Sequence, residues 1–515
     1  MRPIDYLYRG ARRHPEAPAV ITPSETLSTR ALAARVDALA AGLQALDPTP
    51  GGRVGVCARV TVEHMLALLA VMAAGKVWVP LNPRDSRPDL DAKIAATRPG
   101  LLIADAPCLD RFTVPVGTPL IVGEPPPGTA PGTTSAGAGA DTVAGLIARH
   151  RGARPVEHPY SLADTQAIKF TGGTSGRPKG VMQPMRAWLT GAASAVHTLG
   201  LTAADRYLMA TPITHAASTY VCPLLAAGGA LVFLEEQPTA ETIVAALAAG
   251  SATLTFVPPT LLYAMMAAVG PGGARFPALR HLIYGGAPMP PARIREAQAL
   301  FGPVIATSYG QTEAPQMIAI NTGPEMADPA NVAAAGRPTL LTRVGIMDPD
   351  GRLLPPGETG EIVVQGGLVM TGYLDMPDET ARTIVDGWLH TGDIGLLDER
   401  DYLVIKDRLR DVIITGGFNV YPLDVEDALN RHPDIAEACV FGLPDDRWGE
   451  RVVAAVCPRP GAAPSEAAVI AWAKDRLGSV KAPKEVHILP DLPRSPVGKV
   501  LKRAVRARVA APTVD

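Results

Sequence analysis

The 515-residue sequence has few cysteines, and its positive and negative charges nearly cancel. The five cysteines are scattered without C-x-x-C spacing, which argues against a disulfide framework and against a zinc site. We therefore interpret them as small core residues of a protein in a reducing compartment, the cytoplasm. Lys and Arg number 48 and Asp and Glu number 50, so the overall charge gives no reason to expect a nucleic-acid partner.

The sequence also lacks a hydrophobic run long enough to cross a membrane. Its most apolar window, residues 65–74, is about ten residues long before Gly75 and Lys76 interrupt it, whereas a spanning helix needs about 20. The amino-terminal residues are charged and have no apolar core of the kind found in signal peptides. We expect a buried helix at residues 65–74, no transmembrane segment and no secretion.

Strand-like and helix-like apolar segments alternate along most of the chain. Residues 54–57 and 77–80 have the pattern of short buried strands, and residues 62–74 between them have that of a helix. The same alternation continues over residues 187–308 and includes a strand expected at residues 207–212. Such alternation is typical of doubly wound α/β units.

Short strands and turns replace this alternation after residue 339, and the last part of the chain has a compact α+β pattern. We therefore predict an α/β protein whose large N-terminal domain, residues 1–407, contains two doubly wound sheets and a small β-rich subdomain at about residues 339–407. A small mobile α+β domain is predicted at residues 412–515, after a hinge at 408–411. The Gly- and Pro-rich residues 123–141 predict a mobile surface excursion.

Residues 170–180 read F-T-G-G-T-S-G-R-P-K-G, with four glycines, three hydroxyl side chains and one lysine. Glycines let backbone N–H groups turn toward an anion, and hydroxyls and a cation complete such a cradle. The segment is not a Walker A motif, because Lys179 lies between Pro178 and Gly180, so a P-loop kinase or NTPase is disfavoured. A flexible surface hairpin is the alternative, and the apolar segments on both sides favour a phosphate loop.

This loop resembles the signature of the acyl-adenylate-forming (ANL) superfamily, which contains acyl-CoA synthetases, peptide-synthetase adenylation domains and luciferases. Further segments match the superfamily in the right order, although each of them alone would more often be an ordinary turn, core or surface feature. Their joint occurrence over more than 300 residues makes coincidence negligible, and the chain is identified as similar to acyl-CoA synthetases and fatty-acid–CoA ligases. The segments are G-G-A-P at 285–288, Y-G-Q-T-E at 309–313, W-L-H-T-G-D at 388–393, K-D-R-L-R-D-V-I-I-T-G-G at 406–417 and G-K at 498–499.

The resemblance implies how ATP would be bound. Asp393 would accept hydrogen bonds from both ribose hydroxyls, Tyr309 would pack on adenine, and Arg408 would reach the ribose. The implied catalytic residues are Lys179, Thr312, Glu313 and Lys499, and those implied for Mg²⁺ are Thr174 and Glu313. The implied ATP-binding residues are Thr171, Gly172, Gly173, Thr174, Ser175, Gly176, Lys179, Gly286, Ala287, Pro288, Ser308, Tyr309, Gly310, Gln311, Thr312, Asp393, Arg408 and Lys499.

The resemblance also implies that the C-terminal domain turns about a hinge between two half-reactions. Arg410 stands at the pivot, where the superfamily often has Asp or Lys, so the identity differs while the polarity is kept. After the turn, Gly416, Gly417 and Phe418 would line the channel for the pantetheine arm of CoA, where close approach of the backbone favours glycine.

The acyl pocket is implied by the segment at residues 211–220. Amino-acid-activating relatives place an aspartate there beside the substrate ammonium, and this chain has none, so an α-amino acid is disfavoured. His215 matches the superfamily's histidine at the pocket floor, although a hydrogen-bonded core histidine is the plainer interpretation of that residue alone. The implied acyl-binding residues are His215, Ala216, Ala217, Tyr220, Gly285, Gly310, Pro315 and Met317, which favours an apolar monocarboxylic acid of fatty, alicyclic or aromatic type.

The function predicted from these motifs is that of an ATP-dependent acid–thiol ligase, an acyl-CoA synthetase that works through acyl-AMP with ATP, Mg²⁺ and coenzyme A. An enzyme that loads the phosphopantetheine of a separate acyl or peptidyl carrier protein is the alternative within the same chemistry. A catalytically silent acyl-nucleotide sensor is the alternative from another class, and the intact Lys179, Glu313, Asp393 and Lys499 argue against it. A homodimer is an oligomeric state that the sequence leaves open.

Overall fold

The computed structural model describes residues 1–123, 141–171, 178–235, 237–270, 273–445, 448–494 and 500–510. The strands of this part of the chain are β1 Pro18–Ile21, β2 Thr26–Ser28, β3 Arg53–Cys57, β4 Val77–Leu81, β5 Leu101–Ala104, β6 Leu120–Val122, β7 Asp141–Thr142, β8 Thr165–Thr171, β9 Lys179–Pro184, β10 Arg206–Leu208, β11 Ala230–Val232, β12 Leu254–Val257, β13 His281–Gly285, β14 Ile305–Tyr309, β15 Ala319–Asn321, β16 Arg337–Pro338, β17 Thr342–Met347, β18 Gly360–Gly366, β19 Gly372–Tyr373, β20 Ile384–Val385, β21 Trp388–Leu397, β22 Leu403–Arg408, β23 Ile413–Thr415, β24 Phe418–Val420, β25 Ile435–Asp445, β26 Gly449–Pro458 and β27 Glu485–Ile488.

The α-helices of the described residues are α1 Asp5–Arg13, α2 Thr29–Leu46, α3 Val62–Ala73, α4 Arg87–Thr97, α5 Val143–Arg149, α6 Met185–Leu199, α7 Val221–Ala227, α8 Ala240–Ala248, α9 Pro259–Val269, α10 Pro291–Phe301, α11 Gly323–Met326, α12 Pro377–Thr383, α13 Pro422–Asn430, α14 Glu466–Lys481 and α15 Lys502–Ala510. Short 3₁₀ turns at Ala106–Cys108, Ala216–Tyr220 and Leu409–Asp411 complete the order.

An eight-stranded sheet forms the first half of the large domain, in the order β19-β9-β8-β4-β3-β5-β6-β7. Strands β3 to β8 run parallel, and β9 and β19 close one edge in antiparallel fashion. Helix α3 is buried from His64 to Ala73, which confirms the buried helix expected from its apolar sequence. None of the helices in the described ranges combines the length and the hydropathy that a membrane crossing requires.

A nine-stranded sheet forms the second half, in the order β16-β15-β14-β13-β12-β10-β11-β1-β2. Its central strands are parallel, so the carboxyl ends of β13 and β14 lie side by side, with Gly285 opposite Ser308. The expectation of a strand at residues 207–212 is wrong beyond Leu208. The Ala210 N–H donates back to the Leu208 oxygen at 2.9 Å instead of to a neighbouring strand, so the ladder ends there. The chain then continues to the 3₁₀ turn Ala216–Tyr220.

The third sheet, β17-β18-β21-β20 with β22 beside β21, is antiparallel and forms the β-rich part of the chain. The fourth sheet, β24-β23-β26-β25 with β27 beside β26, packs against α13 and α14 around Val425, Leu429 and Val440. The predicted fold class, an α/β body with a smaller α+β domain, is thereby confirmed. The domain limits at residues 407 and 412 stay predictions.

Two smaller expectations concern the cysteines and the Gly- and Pro-rich segment. All five cysteines are buried and none forms a disulfide, as expected of small core residues. The expected surface excursion at residues 123–141 lies almost entirely outside the described residues.

Candidate active site

A cavity of about 1970 Å³ lies where the parallel strands of the two large sheets end. It is lined by residues at or just beyond the carboxyl ends of β4, β8, β10, β13 and β14, the edge at which α/β proteins bind ligands. The small domain covers it with residues of α13, β25 and α15. Both domains therefore contribute to one shared site.

Strands β8 and β9 flank the predicted phosphate loop. Thr171 at the end of β8 pairs with Lys179 at the start of β9, and both residues line the cavity. Gly172, Gly173, Thr174, Ser175 and Gly176 lie outside the described residues, so their implied contacts with phosphate stay predictions. The loop that carries them begins and ends at the cavity wall.

Close backbone approach at Gly310 shapes the wall that follows β14. A Cβ atom at this position would lie 2.3 Å from the backbone nitrogen of Gln316 and 2.4 Å from its Cα. Gln316 itself has a φ of 55°, so the turn folds tightly back on Gly310. This turn presents Gln311, Thr312 and Glu313 to the cavity.

Gly310→Ala is expected to destabilise the protein by about 1–3 kcal/mol, since no backbone shift relieves the overlap without moving the turn. Chemical denaturation would measure the free energy of unfolding, and ATP-dependent activity should fall with it. Gly10→Ala is the matched control, because its new Cβ would meet only Thr29 Cγ2 at an ordinary 3.7 Å inside α1. Equal stability of the two variants would contradict the close approach.

Asp393 is the acceptor on which several side chains of the site converge. Its Oδ2 accepts hydrogen bonds from Tyr309 Oη and Gln311 Nε2, both at 2.6 Å, and its Oδ1 lies 2.7 Å from Arg408 Nε. The residue is only 3% exposed, so a ribose hydroxyl would reach the carboxylate by replacing Gln311 or Arg408. Burial, and then the negative charge of Asp393, raise the pKa of Tyr309, which keeps its hydroxyl a donor.

Lys179 and Glu313 meet on either side of Tyr373. Tyr373 Oη donates to Glu313 Oε1 at 2.9 Å, and Lys179 Nζ lies 5.1 Å from the centre of the Tyr373 ring. Lys179 also forms an ion pair with Glu379 at the start of α12. Burial raises the pKa of Tyr373 and the neighbouring Glu313 raises it further.

The implied magnesium site includes few protein ligands. The described residues contain no group of three or more His, Cys, Asp or Glu side chains that could hold a metal ion. Glu313 lines the cavity, and Thr174 lies outside the described residues. This set fits Mg²⁺, which binds through one or two carboxylates together with substrate phosphates and retains several waters.

The implied acyl pocket is only partly on the cavity surface. His215, Ala216, Gly285, Gly310 and Pro315 line the cavity. The His215 side chain is accessible from the cavity and is otherwise surrounded by protein atoms. This burial, followed by the charge of Lys169, lowers the pKa of His215. Its Nδ1 lies 2.8 Å from Thr214 Oγ1.

Besides Tyr309 and Asp393, which do not line the cavity either, four predicted residues lie behind its wall. Ala217, Tyr220 and Met317, predicted for the acyl group, have 0% exposure, and Ser308, predicted for ATP, has 3%. Tyr220 stacks on Phe256, with ring centres 5.6 Å apart, and its Oη lies 3.1 Å from Ser308 Oγ. The four residues therefore do not form the surface of the cavity and can act on a ligand only through the residues in front of them.

The small domain turns the flanks of residues 495–499 toward the cavity. Arg494 and Val500 pair in a β-bridge across this segment, and both line the cavity. Lys499 lies outside the described residues, so its position stays a prediction. Lys502 lies 3.1 Å from Glu426 of the small domain and 3.9 Å from Asp407 of the body, and so connects the two.

The residues predicted for coenzyme A lie away from this cavity. Gly416 and Gly417 have φ values of 57° and 81°, and Phe418 is 61% exposed on the β23–β24 hairpin. None of the three lines the cavity, so their predicted role requires a different orientation of the small domain. Arg410, the predicted pivot, is on the 3₁₀ turn between the domains and lines the cavity.

The sequence motifs did not indicate Lys169, Tyr373 or Glu379, which the structure brings to the site. Tyr373 and Glu379 lie less than 25 residues before the ribose motif. A helix predicted at α12 would have indicated that this segment packs beside the motif. Lys169 directly precedes the phosphate motif in an otherwise apolar strand, and a charged residue in a buried strand was the available signal.

Comparisons with known proteins agree with this geometry. The model of the AMP-binding enzyme family matches residues 7–374, and that of the AMP-binding enzyme C-terminal domain matches residues 424–499. The chain therefore belongs to the AMP-binding enzyme family. The predicted membership of the adenylate-forming superfamily is confirmed, and so is the predicted enzyme class, because the relatives include several CoA ligases.

Three curated relatives illustrate the similarity. Medium/long-chain-fatty-acid–CoA ligase FadD8 of Mycobacterium tuberculosis is 39% identical over 348 residues, which span 66% of this chain and 61% of FadD8. Feruloyl-CoA synthase of an Amycolatopsis species is 34% identical over 97% of both chains. Fatty acid–[acyl-carrier-protein] ligase ScoC of Streptomyces coeruleorubidus is 31% identical over 97% of this chain and 94% of ScoC.

Solved structures share the whole architecture. Amide bond synthetase McbA from Marinactinospora thermotolerans gives a TM-score of 0.86 at 30% identity, over 99% of this chain and 100% of McbA. ATP-bound MatB from Rhodopseudomonas palustris gives 0.85 at 29% identity, over 99% of both chains, whereas apo MatB gives 0.76 over the same share. The arrangement of this chain is thus more similar to the ATP-bound form of MatB.

Proposed function

We propose that this protein converts an apolar monocarboxylic acid of fatty, alicyclic or aromatic type to its CoA thioester through acyl-AMP, with release of AMP and pyrophosphate. The observation that carries the proposal is one continuous cavity. It joins the nucleotide segments at residues 286–288 and 311–313 to His215 and to both flanks of residues 495–499.

The first half-reaction brings two anions together, because the carboxylate oxygen attacks the α-phosphorus while pyrophosphate leaves. Positive charge at this point stabilises the transition state, and cavity-lining Lys179 together with Lys499 would supply it. Mg²⁺ held on Glu313 would neutralise phosphate charge when bound. Lys179 would exchange Glu379 for the triphosphate as ATP enters.

The nucleotide would lie between two glycine-containing turns. Gly286, whose φ of 83° favours glycine, opens the adenine-side wall with Ala287 and Pro288. The ribose would lie near Gln311 and Arg408, where its hydroxyls would compete for the carboxylate of Asp393. This exchange couples nucleotide binding to Arg408, which directly precedes the 3₁₀ turn Leu409–Asp411.

In the second half-reaction the thiol sulfur attacks the acyl carbon and AMP leaves. The acceptor we propose is the pantetheine arm of CoA, brought in along Gly416, Gly417 and Phe418 after the small domain has turned about Arg410. The similarity to ScoC supports a carrier-protein phosphopantetheine as the second candidate acceptor.

A coupled pyrophosphate-release assay tests the proposal. Alkanoates from octanoate to palmitate, cyclohexanecarboxylate and cinnamate would be supplied with ATP and Mg²⁺, with and without CoA, and alanine would be the control acid. We expect continuous pyrophosphate release only when both CoA and one of these acids are present. If continuous release required a holo carrier protein, that protein and not CoA would be the acceptor. No release of pyrophosphate with any acid would reject the proposal.

A further inference from the structure

Lys169 differs from the other lysines that line the cavity. The described cavity lysines are Lys93, Lys169, Lys179, Lys406 and Lys502. Carboxylates of Asp85, Glu379, Asp424 and Glu426 pair with four of them. Within the described part of the chain no carboxylate forms an ion pair with Lys169, although it is only 7% exposed.

The surroundings of Lys169 account for two of its three N–H donors. Nζ donates to the backbone oxygen of His215 at 3.1 Å and to Ser218 Oγ at 2.8 Å. Its charge faces the rings of Trp78 and Trp188, whose centres are 5.1 Å and 5.5 Å away. A lysine ammonium has three donors, so one N–H has no acceptor among the residues that the structure describes and is left for a further one.

Keeping a lysine in this place costs free energy. Burial lowers the pKa of Lys169 to about 7, since the charged form loses its hydration without a counter-ion. A neutral apolar side chain such as methionine would fill the same space without that cost. Buried ionisable groups with shifted pKa values are concentrated at functional sites, and this one is part of the cavity wall beside His215.

We propose that Lys169 is a specificity-determining residue that donates its third N–H to an oxygen substituent of the acid. The class of substrate is an otherwise apolar monocarboxylic acid that carries a hydroxyl or oxo oxygen away from the carboxylate that is activated. This inference rests on the proposed function, because it assigns the acid to the part of the cavity at His215. It narrows the acid from an entirely apolar one to one with a single polar end.

Pairs of acids that differ only in the oxygen substituent test the inference. Cinnamate and 4-hydroxycinnamate, 3-cyclohexylpropanoate and 3-(4-oxocyclohexyl)propanoate, and octanoate and 8-hydroxyoctanoate would be compared by kcat/KM in the pyrophosphate assay. We expect the wild-type protein to prefer the oxygenated member of at least one pair by about 10- to 100-fold. Lys169→Met should remove this preference by raising the KM of the oxygenated acid alone.

Two further measurements separate recognition from a structural role. In Lys169→Met the KM for ATP should be nearly unchanged, and the kcat/KM of the oxygenated acid should fall at least about tenfold more than that of the unsubstituted acid. Loss of a purely structural contact would lower the kcat/KM of both acids equally. Ser218→Ala removes one acceptor of Lys169 while leaving its ammonium, and it should keep the preference.

The outcomes are decisive. Absence of a preference in every pair, a preference that survives Lys169→Met, or equal loss for both members of a pair would overturn the inference and leave the ligase proposal standing. Failure of every acid to release pyrophosphate would overturn both.

Discussion

Lys499→Ala is expected to slow the formation of acyl-AMP from acid and ATP by about 10²- to 10³-fold, the usual cost of removing one group that offsets charge developing in a transition state. The flanks of residues 495–499, Arg494 and Val500, line the cavity, and we therefore expect Lys499 to act on the phosphate chain of bound ATP. Single-turnover measurement of pyrophosphate release would give the rate. Thioester formation from supplied acyl-AMP and CoA should survive with little change.

Arg503→Ala is the matched control for that experiment. Arg503, four residues further along the chain, is an exposed cation on α15 that does not line the cavity, so its loss removes the same formal charge without changing the site. Both half-reactions should proceed normally in this variant. Equal loss of both half-reactions in Lys499→Ala would contradict a small domain that uses different faces in the two steps.

The fold was predictable because its signals are local in the sequence. The strand-helix-strand unit β3-α3-β4 shows a fully buried apolar helix between two short buried strands, and the structure has these elements within one or two residues of the predicted limits. The strand expected at residues 207–212 was wrong because apolar content continues after Leu208, while the backbone turns at Ala210, whose N–H donates back to the Leu208 oxygen. The residue at which an apolar strand leaves its sheet depends on tertiary contacts, and hydrophobic periodicity does not predict these contacts.

The site was predictable only as a set of segments. Motif order indicated that the segments around residues 286–288 and 311–313 and His215 belong together, and these residues line one cavity. The motifs could not show that Asp393 is enclosed by Gln311 and Arg408, since that contact joins residues 82 and 15 positions apart in the chain. The motifs also did not distinguish residues on the cavity surface from residues that pack behind it. Tyr220 and Ser308 are buried one layer behind the residues that a ligand would touch.

The contacts of Lys169 also could not be predicted from the sequence. Its charge was visible in the sequence, but its meaning depends on Ser218, Trp78 and Trp188, which come from three other segments of the chain. Sequence reasoning therefore predicted an entirely apolar pocket. A buried cation without a carboxylate partner becomes visible only when these segments are assembled.

Asp393→Ala is expected to lower kcat/KM for ATP by about 10²- to 10⁴-fold, since two hydrogen bonds from the ribose to a charged acceptor contribute about 1.5–3 kcal/mol each. The variant also removes the shared acceptor of Tyr309, Gln311 and Arg408, so chemical denaturation should show a loss of stability as well. Asp350→Ala is the matched control, because Asp350 is on an exposed turn of the same β-rich subdomain with 72% of its side chain accessible.

Deoxynucleotides separate loss of ribose recognition from loss of stability. The wild-type protein should use 2′-deoxy-ATP and 3′-deoxy-ATP with a lower kcat/KM than ATP, because each analogue lacks one hydroxyl that would donate to Asp393. The Asp393→Ala variant should use all three nucleotides nearly equally, since the acceptor of those hydroxyls is gone, whereas Asp350→Ala should discriminate as the wild type does. A variant that still discriminates against both analogues would place the ribose elsewhere, and Gln311 and Arg408 would then be holding Asp393 for the fold rather than for the nucleotide.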